Sequence, residues 1–347
     1  MNDTPYAALD PAGVLQALFL AGFEPDGRLL QLNSYENRVF QAHLEDGRVV
    51  VAKFYRPGRW NDAQIAEEHA FSQALADADL PVVAPLALQP RLPDDPELTL
   101  LAGCASLAHW RPPQAPEAPG FRLAVTERRV GQAPELEDPD TLARLGRLIG
   151  RLHMVGRRAR FSHRRRLDVE TLGRAPRQRL IDSGLVGPET ASGWLRASAV
   201  ALDAVAAAFE RHGPLSTLRL HGDCHPGNVL WRQEGQHAGP NFVDFDDCCT
   251  GPAVQDLWML LPGEREAVQA AQWHLLDGYR DFADFDDREL LLIEPLRTLR
   301  MVHHSAWIAE RWSDPAFPIA FPWFGSPSYW AQQATELHEQ IERMQDA

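Results

Sequence analysis

"LRLHGDCHPGNVLW", residues 218–231, decides how this chain is read. Apolar Leu218 and Leu220 lead in, Val229, Leu230 and Trp231 lead out, and a polar loop carrying Asp223 and Asn228 lies between them. The next segment, "GPNFVDFDDC" at 239–248, runs through Phe242 and Val243 into Asp244. That layout places Asp223, Asn228 and Asp244 on two neighbouring loop or strand ends. Aspartate and asparagine offer oxygen donors suited to a hard cation, and Mg²⁺ typically takes one or two carboxylates with the rest from substrate phosphates. Taken singly, Asp223 also fits a turn cap and Asn228 a residue that satisfies loop backbone.

Jointly the three fit something narrower. The catalytic loop H-R-D-x-x-x-x-N of phosphoryl-transfer enzymes has an Asp that accepts the acceptor hydroxyl's proton and an Asn that holds metal, with a metal-binding Asp further on. "HGDCHPGN" keeps His221, Asp223 and Asn228 at that spacing, and Asp244 follows after a short hairpin-like excursion. Upstream, "VVAK" mirrors the strand V-A-I-K whose lysine pairs the nucleotide's α- and β-phosphates. Lys53 is the only lysine among 34 lysine and arginine residues, and Glu68 or Glu67 on the next predicted helix is available to hold it. An ammonium is a compact point charge on a flexible stem, whereas a guanidinium is a bulky planar fork, so arginine is no substitute in a tight phosphate site.

The segments around these motifs set the fold class. Asp10 before Pro11 reads as a helix N-cap with proline at the first helical position, opening a helix through about Phe23. "RLLQLNS", "NRVFQAHL" and "VVVAKFYR" read as strands, the last two joined by a turn centred on Asp46-Gly47. Residues 61–78 read as a helix, and proline-rich loops alternate with strand patches up to Val130. Beyond it the pattern turns helical, with Leu142, Leu145, Leu148, Ile149 and Leu152 on one stripe. The expectation is an α+β, protein-kinase-like bilobal fold, with an antiparallel β-rich N-lobe, 1–130, binding nucleotide, and a mainly α-helical catalytic and substrate C-lobe, 131–347.

Bulk properties narrow the partners. A 347-residue chain with 45% hydrophobic residues has ample material for two cores. The net charge of −14 argues against nucleic acid or an anionic membrane as the main partner. The N-terminus is acidic where a signal peptide is basic, and "VLQALFLAGF" is too short to span a bilayer. Four cysteines without CxxC spacing suit a reducing cytoplasm, and the adjacent Cys248-Cys249 pair reads as incidental. A monomer is expected.

The "HGDxHxxN" and "DFDD" motifs resemble those of the aminoglycoside phosphotransferase and choline kinase superfamily. More closely, "LNSYENRVF", "KFYRPGRW", "LRLHGDCHPGNVLWR", "GPAVQDLWML", "IEPLRTLRMV" and "RWSDPAFP" resemble the bacterial stress response kinase A (RdoA) family over nearly the whole chain. The resemblance implies a cytoplasmic serine/threonine protein kinase using ATP and Mg²⁺ and acting on a protein, with itself, at Ser34, as one substrate. Carried over by motif, Asp223 is the catalytic base, Asn228 and Asp244 bind metal, and Ser34 lies in the loop over the ATP phosphates. Asp256 would brace the catalytic loop by accepting backbone hydrogen bonds, and Thr126 to Val130 would form the adenine-contacting hinge.

Departures from the general kinase pattern are equally legible. "NSYENR" lacks the glycines of a G-x-G-x-x-G loop, so Ser34 hydroxyl or backbone N–H groups must reach the phosphates. His225 stands where many protein kinases carry lysine, so positive charge there depends on imidazole protonation. D-F-G and A-P-E are absent, and residues 88–120 read as a proline-rich insertion. Asp246 and Asp247 read as solvated surface acids, the basic run 156–166 as a solvated helix end, 317–330 as aromatic packing over the helical lobe, and His303 and His304 as helix residues. Three rival functions stand: a small-molecule kinase for an amino sugar or choline-like alcohol, which would gather carboxylates or aromatic faces around Asp223; a two-His-one-carboxylate iron site starting at His221-x-Asp223; and a non-catalytic ATP-binding scaffold.

Overall fold

The computed structural model describes residues 6–345 except 93–94, 118–119, 188, 190, 236–237 and 262–264. Two compact units emerge: Met1–Pro134 with Pro226–Asp246, and Glu135–His225 with Asp247–Ala347. They differ from a single cut at 130/131 in that 226–246 returns to the first unit.

The first unit is built on a six-stranded sheet, β1 (Pro25–Leu32), β2 (Arg38–Leu44), β3 (Val49–Phe54), β4 (Leu98–Leu101), β5 (Cys104–Trp110) and β6 (Phe121–Glu127), in the order β1-β2-β3-β6-β5-β4. Every neighbouring pair is antiparallel. Asp46-Gly47 turns β2 into β3 as expected, with Gly47 at φ +85°, a region open to glycine without steric cost. Successive strand residues point to opposite faces. Val50, Ala52 and Phe54 of β3 enter a core with Phe40, Ala42, Leu44, Trp110, Phe121 and Leu123, covered by Val14, Ala17 and Leu18 of helix α1 (Pro11–Leu20). Lys53 therefore faces the other way, opposite Ala124, which packs with Ile65 of helix α2 (Asp62–Ala76) in a second, smaller core. A one-residue slip of β3 would exchange Lys53 with Phe54. Burial of a side chain like Phe54 contributes roughly 1.5–3 kcal/mol, so the register is strongly specified.

Both helices start where expected. Asp10 accepts a hydrogen bond from Gly13 N at 2.7 Å, and Asn61 and Gln64 form a reciprocal capping box at 2.9 Å. The stretch 88–120 departs from its reading as an insertion: within it β4 and β5 form the outer hairpin of the sheet, and Leu98, Ala108 and Trp110 enter the main core. Its residues 93–94 and 118–119 lie outside the described residues. A separate hairpin, Val229–Arg232 with Gly239–Phe242, completes the unit.

The second unit is helical: α3 (Pro139–Gly156), α4 (Ala175–Asp182), α5 (Ser192–His212), α6 (Gln255–Trp258), α7 (Arg265–Arg280), α8 (Ile293–Glu310), α9 (Ala316–Ala320) and α10 (Pro327–Gln345). One strand pair, Leu218–Leu220 with Cys249–Gly251, lies among them. The aromatic stretch packs as expected: Phe317 and Trp330 are fully buried, and Trp330 lies 5.1 Å from Trp194. The basic run 156–166 does so only in part: Arg157, Arg158, Arg160 and Arg166 are exposed past the end of α3, whereas Arg164 is buried and donates to Cys248 Sγ at 3.1 Å, and Arg165 pairs with Asp247 at 2.8 Å. Only folding, not charge density, puts these acceptors beside it. Among the described residues no helix is long and apolar enough to cross a membrane.

Helices α3 and α7 cross at glycines. A Cβ at Gly146 would stand 2.0 Å from Leu275 O and 2.8 Å from Tyr279 N, both backbone atoms that cannot step aside. Gly146→Ala is expected to lower stability by about 1–3 kcal/mol or more, whereas Gly193→Ala, whose Cβ meets only Ala334 at 3.6 Å, should raise it by about 0.5–1 kcal/mol through helix propensity. Thermal unfolding of the two variants checks the opposite signs.

Candidate active site

In the first unit the polar face of β3 meets the start of a charged cluster. Lys53 Nζ stands 2.9 Å from Asp246, 3.4 Å from Asp244 and 3.5 Å from Glu68 of α2. Of the two candidate glutamates it is thus Glu68 that stands at Lys53; it is buried, and its Oε1 accepts from the Tyr55 hydroxyl at 3.1 Å. The ammonium also lies 4.6 Å from the Tyr55 ring centroid. Burial works against the charge on Lys53, but Asp246, Glu68 and Asp244 outweigh it and hold the ammonium well above the ordinary lysine range.

Asp246 overturns its reading as a solvated acid. Its side chain is only 4% exposed and accepts from Lys53, from Asn37 Nδ2 at 3.2 Å and from Arg59. Phe245 explains this: it packs edge-on against Phe71 at 6.0 Å, drawing the following residue inward. Asp244 behaves oppositely. It adopts φ +61°, rare outside glycine, and its side chain is 54% exposed. Backbone in that region is uncommon for a residue other than glycine and clusters at functional sites.

Asn228 closes the short helical turn Pro226–Asn228, and its carbonyl accepts from Val243 N at 3.0 Å. Val229 is paired with Phe242, so the two ends that carry Asn228 and Asp244 lie side by side, as their spacing predicted. Phe242 in turn exchanges backbone hydrogen bonds with Pro81 and Val83, at 2.8 and 3.1 Å, which fixes the hairpin to the rest of the unit. One amide and one exposed carboxylate suit Mg²⁺, whose remaining ligands would be phosphates and water. Among the described residues no group of three or more His, Cys, Asp or Glu side chains is placed to hold a metal, so the histidine-rich iron site has no such group.

Other predicted residues of this unit are placed as follows. Ser34 Oγ accepts from Asn37 N at 3.3 Å inside the β1–β2 loop. Thr126 pairs with Val51 near the end of β6, and Val130 is 39% exposed, just before the segment in which Gln132 bridges to Trp231. Arg59 and Asn37 were not singled out from sequence.

In the second unit Asp256 braces the loop that carries Asp223. Fully buried, it accepts from His221 N and Gly222 N, each at 2.8 Å, and lies 3.1 Å from His153 Nε2. Gln255 donates to Gly222 O at 2.8 Å. Gly222 has φ +85°, and a Cβ there would stand 2.2 Å from Asp247 O, so only glycine fits. Asp223 follows, with Arg300 of α8 at 2.5 Å from Oδ1 and His225 at 3.5 Å from Oδ2. Arg300 was likewise missed, although it sits in "IEPLRTLRMV"; periodicity assigns it a helix face but not the loop opposite. His303 and His304 are helix residues, as expected.

The chain is similar to known proteins over most of its length. The model of the Phosphotransferase enzyme family matches residues 28–292. Stress response kinase A of Salmonella choleraesuis (strain SC-B67) is 40% identical over 342 residues, covering 98% of this chain and 95% of that one. Stress response kinase A of Escherichia coli (strain K12) is 38% identical over 348 residues, covering 100% and 97%. A relative from Salmonella typhimurium, 40% identical over 98% of this chain and 95% of its own length, is named serine/threonine protein kinase RdoA. Among solved structures, amicoumacin kinase in complex with AMP-PNP, Ca²⁺ and Ami superposes with a TM-score of 0.72 at 19% identity, covering 98% and 96% of the two chains. The microcompartment-associated aminopropanol kinase gives 0.69 at 19%, covering 96% and 98%. Both share the kinase-like fold.

Glu289 offers a test of how firmly the Asp256 brace is held. It accepts from Val254 N at 2.9 Å, at the head of α6, which carries Asp256. Burial, only partly offset by the Val254 hydrogen bond, pushes its carboxyl up to about 7. The fold therefore prefers the protonated form: its stability is full below the unfolded value near 4.5 and declines as pH rises toward 7. Glu289→Gln should flatten that decline, which for the native residue amounts to about 3 kcal/mol; denaturant melts at pH 4.5, 6 and 8 check it.

Proposed function

We propose, from the premise that this chain belongs to the Phosphotransferase enzyme family and within it to the stress response kinase A group, that it transfers the γ-phosphate of ATP, with Mg²⁺, to a serine or threonine hydroxyl of a protein. The observation that carries the reading is the Lys53–Glu68 pair at 3.5 Å. A strand lysine held by a helix glutamate is the arrangement that kinase-type phosphoryl transfer requires in place.

Each residue then has a role. Lys53 delivers its charge to the α- and β-phosphates, Glu68 holds it, and Ser34 lies in the loop over the phosphates. Thr126 to Val130 contact the adenine. Asn228 and Asp244 would hold Mg²⁺, which would offset the negative charge that develops during phosphoryl transfer. Asp223 orients the acceptor hydroxyl and accepts its proton, and Asp256 keeps that loop in shape through the His221 and Gly222 amides. The chemistry needs positioning and charge more than covalent work from the protein. The four free cysteines suit a cytoplasmic enzyme.

A protein acceptor is favoured over an amine-bearing small molecule by the charges beside Asp223. An ammonium substrate would meet the Arg300 guanidinium, 2.5 Å from the carboxylate. Two like charges 4 Å apart repel by roughly 4 kcal/mol at an effective dielectric constant of 20. A relative named serine/threonine protein kinase RdoA supports the same choice.

With radiolabelled ATP and Mg²⁺, label should appear on the chain itself or on an unstructured protein acceptor, with Ser34 the first phosphosite to map. Asp223→Asn should lower transfer roughly 10²–10⁴-fold, and Lys53→Arg should lower it as well while the protein stays folded by circular dichroism. Full transfer by both folded variants would refute the assignment; label on alcohols but on no protein would move the acceptor to a small molecule.

A further inference from the structure

The loop around Asp223 is bordered by basic side chains of one helix. Arg297, Arg300 and His303 recur every three residues on α8 and so share a side of it. Arg300 reaches Asp223 at 2.5 Å while its side chain stays 47% exposed. Arg297 lies 5.4 Å from the Trp258 ring; Trp258 Nε1 donates to Gln255 at 3.2 Å, and Gln255 donates to Gly222 O at 2.8 Å. His303 lies 3.1 Å from Arg165, whose other nitrogen takes Asp247 at 2.8 Å. Three acids of this region have basic partners: Asp223 in Arg300 and His225, Asp247 in Arg165, and Glu294 in Arg297 at 3.7 Å and Arg343 at 3.8 Å.

We propose that Arg300 is a specificity-determining residue that selects acidic acceptor peptides, in which a carboxylate or phosphorylated side chain flanks the serine or threonine. The inference rests on the protein-kinase reading above. The Asp223 carboxylate has two oxygens, one contacted by Arg300 and the other near His225. In the transfer step the acceptor oxygen bonds to the γ-phosphorus, the bond from that phosphorus to the β–γ bridging oxygen breaks, ADP leaves with the electron pair, and the hydroxyl proton passes to Asp223. A guanidinium bound to Asp223 competes for the lone pair that must take this proton. An acidic group on the substrate gives Arg300 an exchange partner of the same kind, which its planar fork grips in bidentate fashion. The base is released as the right acceptor docks. A lysine-flanked acceptor offers no exchange and is repelled.

The experiment compares kcat/KM for two serine peptides identical but for aspartate or lysine flanks, using the full chain. The wild type should prefer the acidic peptide by about tenfold or more, the value of one charge-assisted hydrogen bond. Arg300→Glu should invert the preference, and Arg300→Lys should keep its direction with a smaller ratio. A structural role alone would change both rates in parallel and leave their ratio fixed. Should Arg300→Glu misfold, Arg300→Gln replaces it, and the ratio should fall toward one. Equal use of both peptides by the wild type, or an unchanged ratio in a folded Arg300 variant, overturns the proposal while leaving the kinase reading intact. Label on neither peptide and on no protein overturns the protein-kinase reading and this inference with it.

Discussion

A buried carboxylate organises the first unit. Asp246 is 4% exposed, a position in which an unpaired charge would cost several kcal/mol. Two cations, Lys53 and Arg59, and the Asn37 amide offset that cost by donating to it. The arrangement is possible because β3 alternates: with Ala52 and Phe54 committed to the main core, Lys53 has to face α2. Phe245, held against Phe71, brings Asp246 in from the other side. Asp244 turns outward at a positive φ, just before the buried Phe245 and Asp246. An exposed, charged donor next to a fixed ammonium is what a phosphate-bound cation would need, and the fold supplies it as a consequence of packing.

The second unit stabilises its own buried carboxylate differently. Asp256 is held by two backbone amides and faces His153, without a cation as strong as lysine or arginine among those contacts. Amide donors stabilise a carboxylate through directed hydrogen bonds, and each bond fixes one peptide plane. So Asp256 determines loop shape where Asp246 determines charge balance. Gly222 is the counterpart of that constraint, since its amide can reach Asp256 only if its Cα lies against Asp247 O. Asp223, one residue on, inherits its position from this backbone and its electrostatic environment from Arg300 and His225.

Local signals were legible and tertiary ones were not. Asp46-Gly47, the Asp10 and Asn61 caps and the period of two in β3 depend on neighbours within a few residues, and each appears where the sequence places it. The spacing from His221 to Asn228 predicted the loop, and the Asn228–Val243 hydrogen bond joins its end to Asp244 as the layout implied. Asp246 misleads because a run of acids after an apolar strand has the composition of a surface; Phe245 reverses it, and its pocket comes from α2. Arg164 misleads for a similar reason: it is one of many arginines, and its partner Cys248 is distant in sequence. Prolines at 88–120 obscure an edge hairpin, a place in a sheet where nearby proline is tolerated.

The solitary lysine can now be explained from its surroundings. Lys53 has Asp246, Asp244 and Glu68 within 3.5 Å and an aromatic face at 4.6 Å. Three acids, Glu68 of α2 and Asp244 and Asp246 of one turn, approach one nitrogen, and an ammonium offers three rotatable donors to meet them. A guanidinium holds its donors in one plane and cannot turn them independently toward three converging carboxylates. Arg59 illustrates the contrast: it approaches Asp246 and Glu36, both on the loop side, with its fork near the Trp60 ring at 5.1 Å. A chain that otherwise uses arginine throughout therefore retains lysine where the geometry converges on a single point.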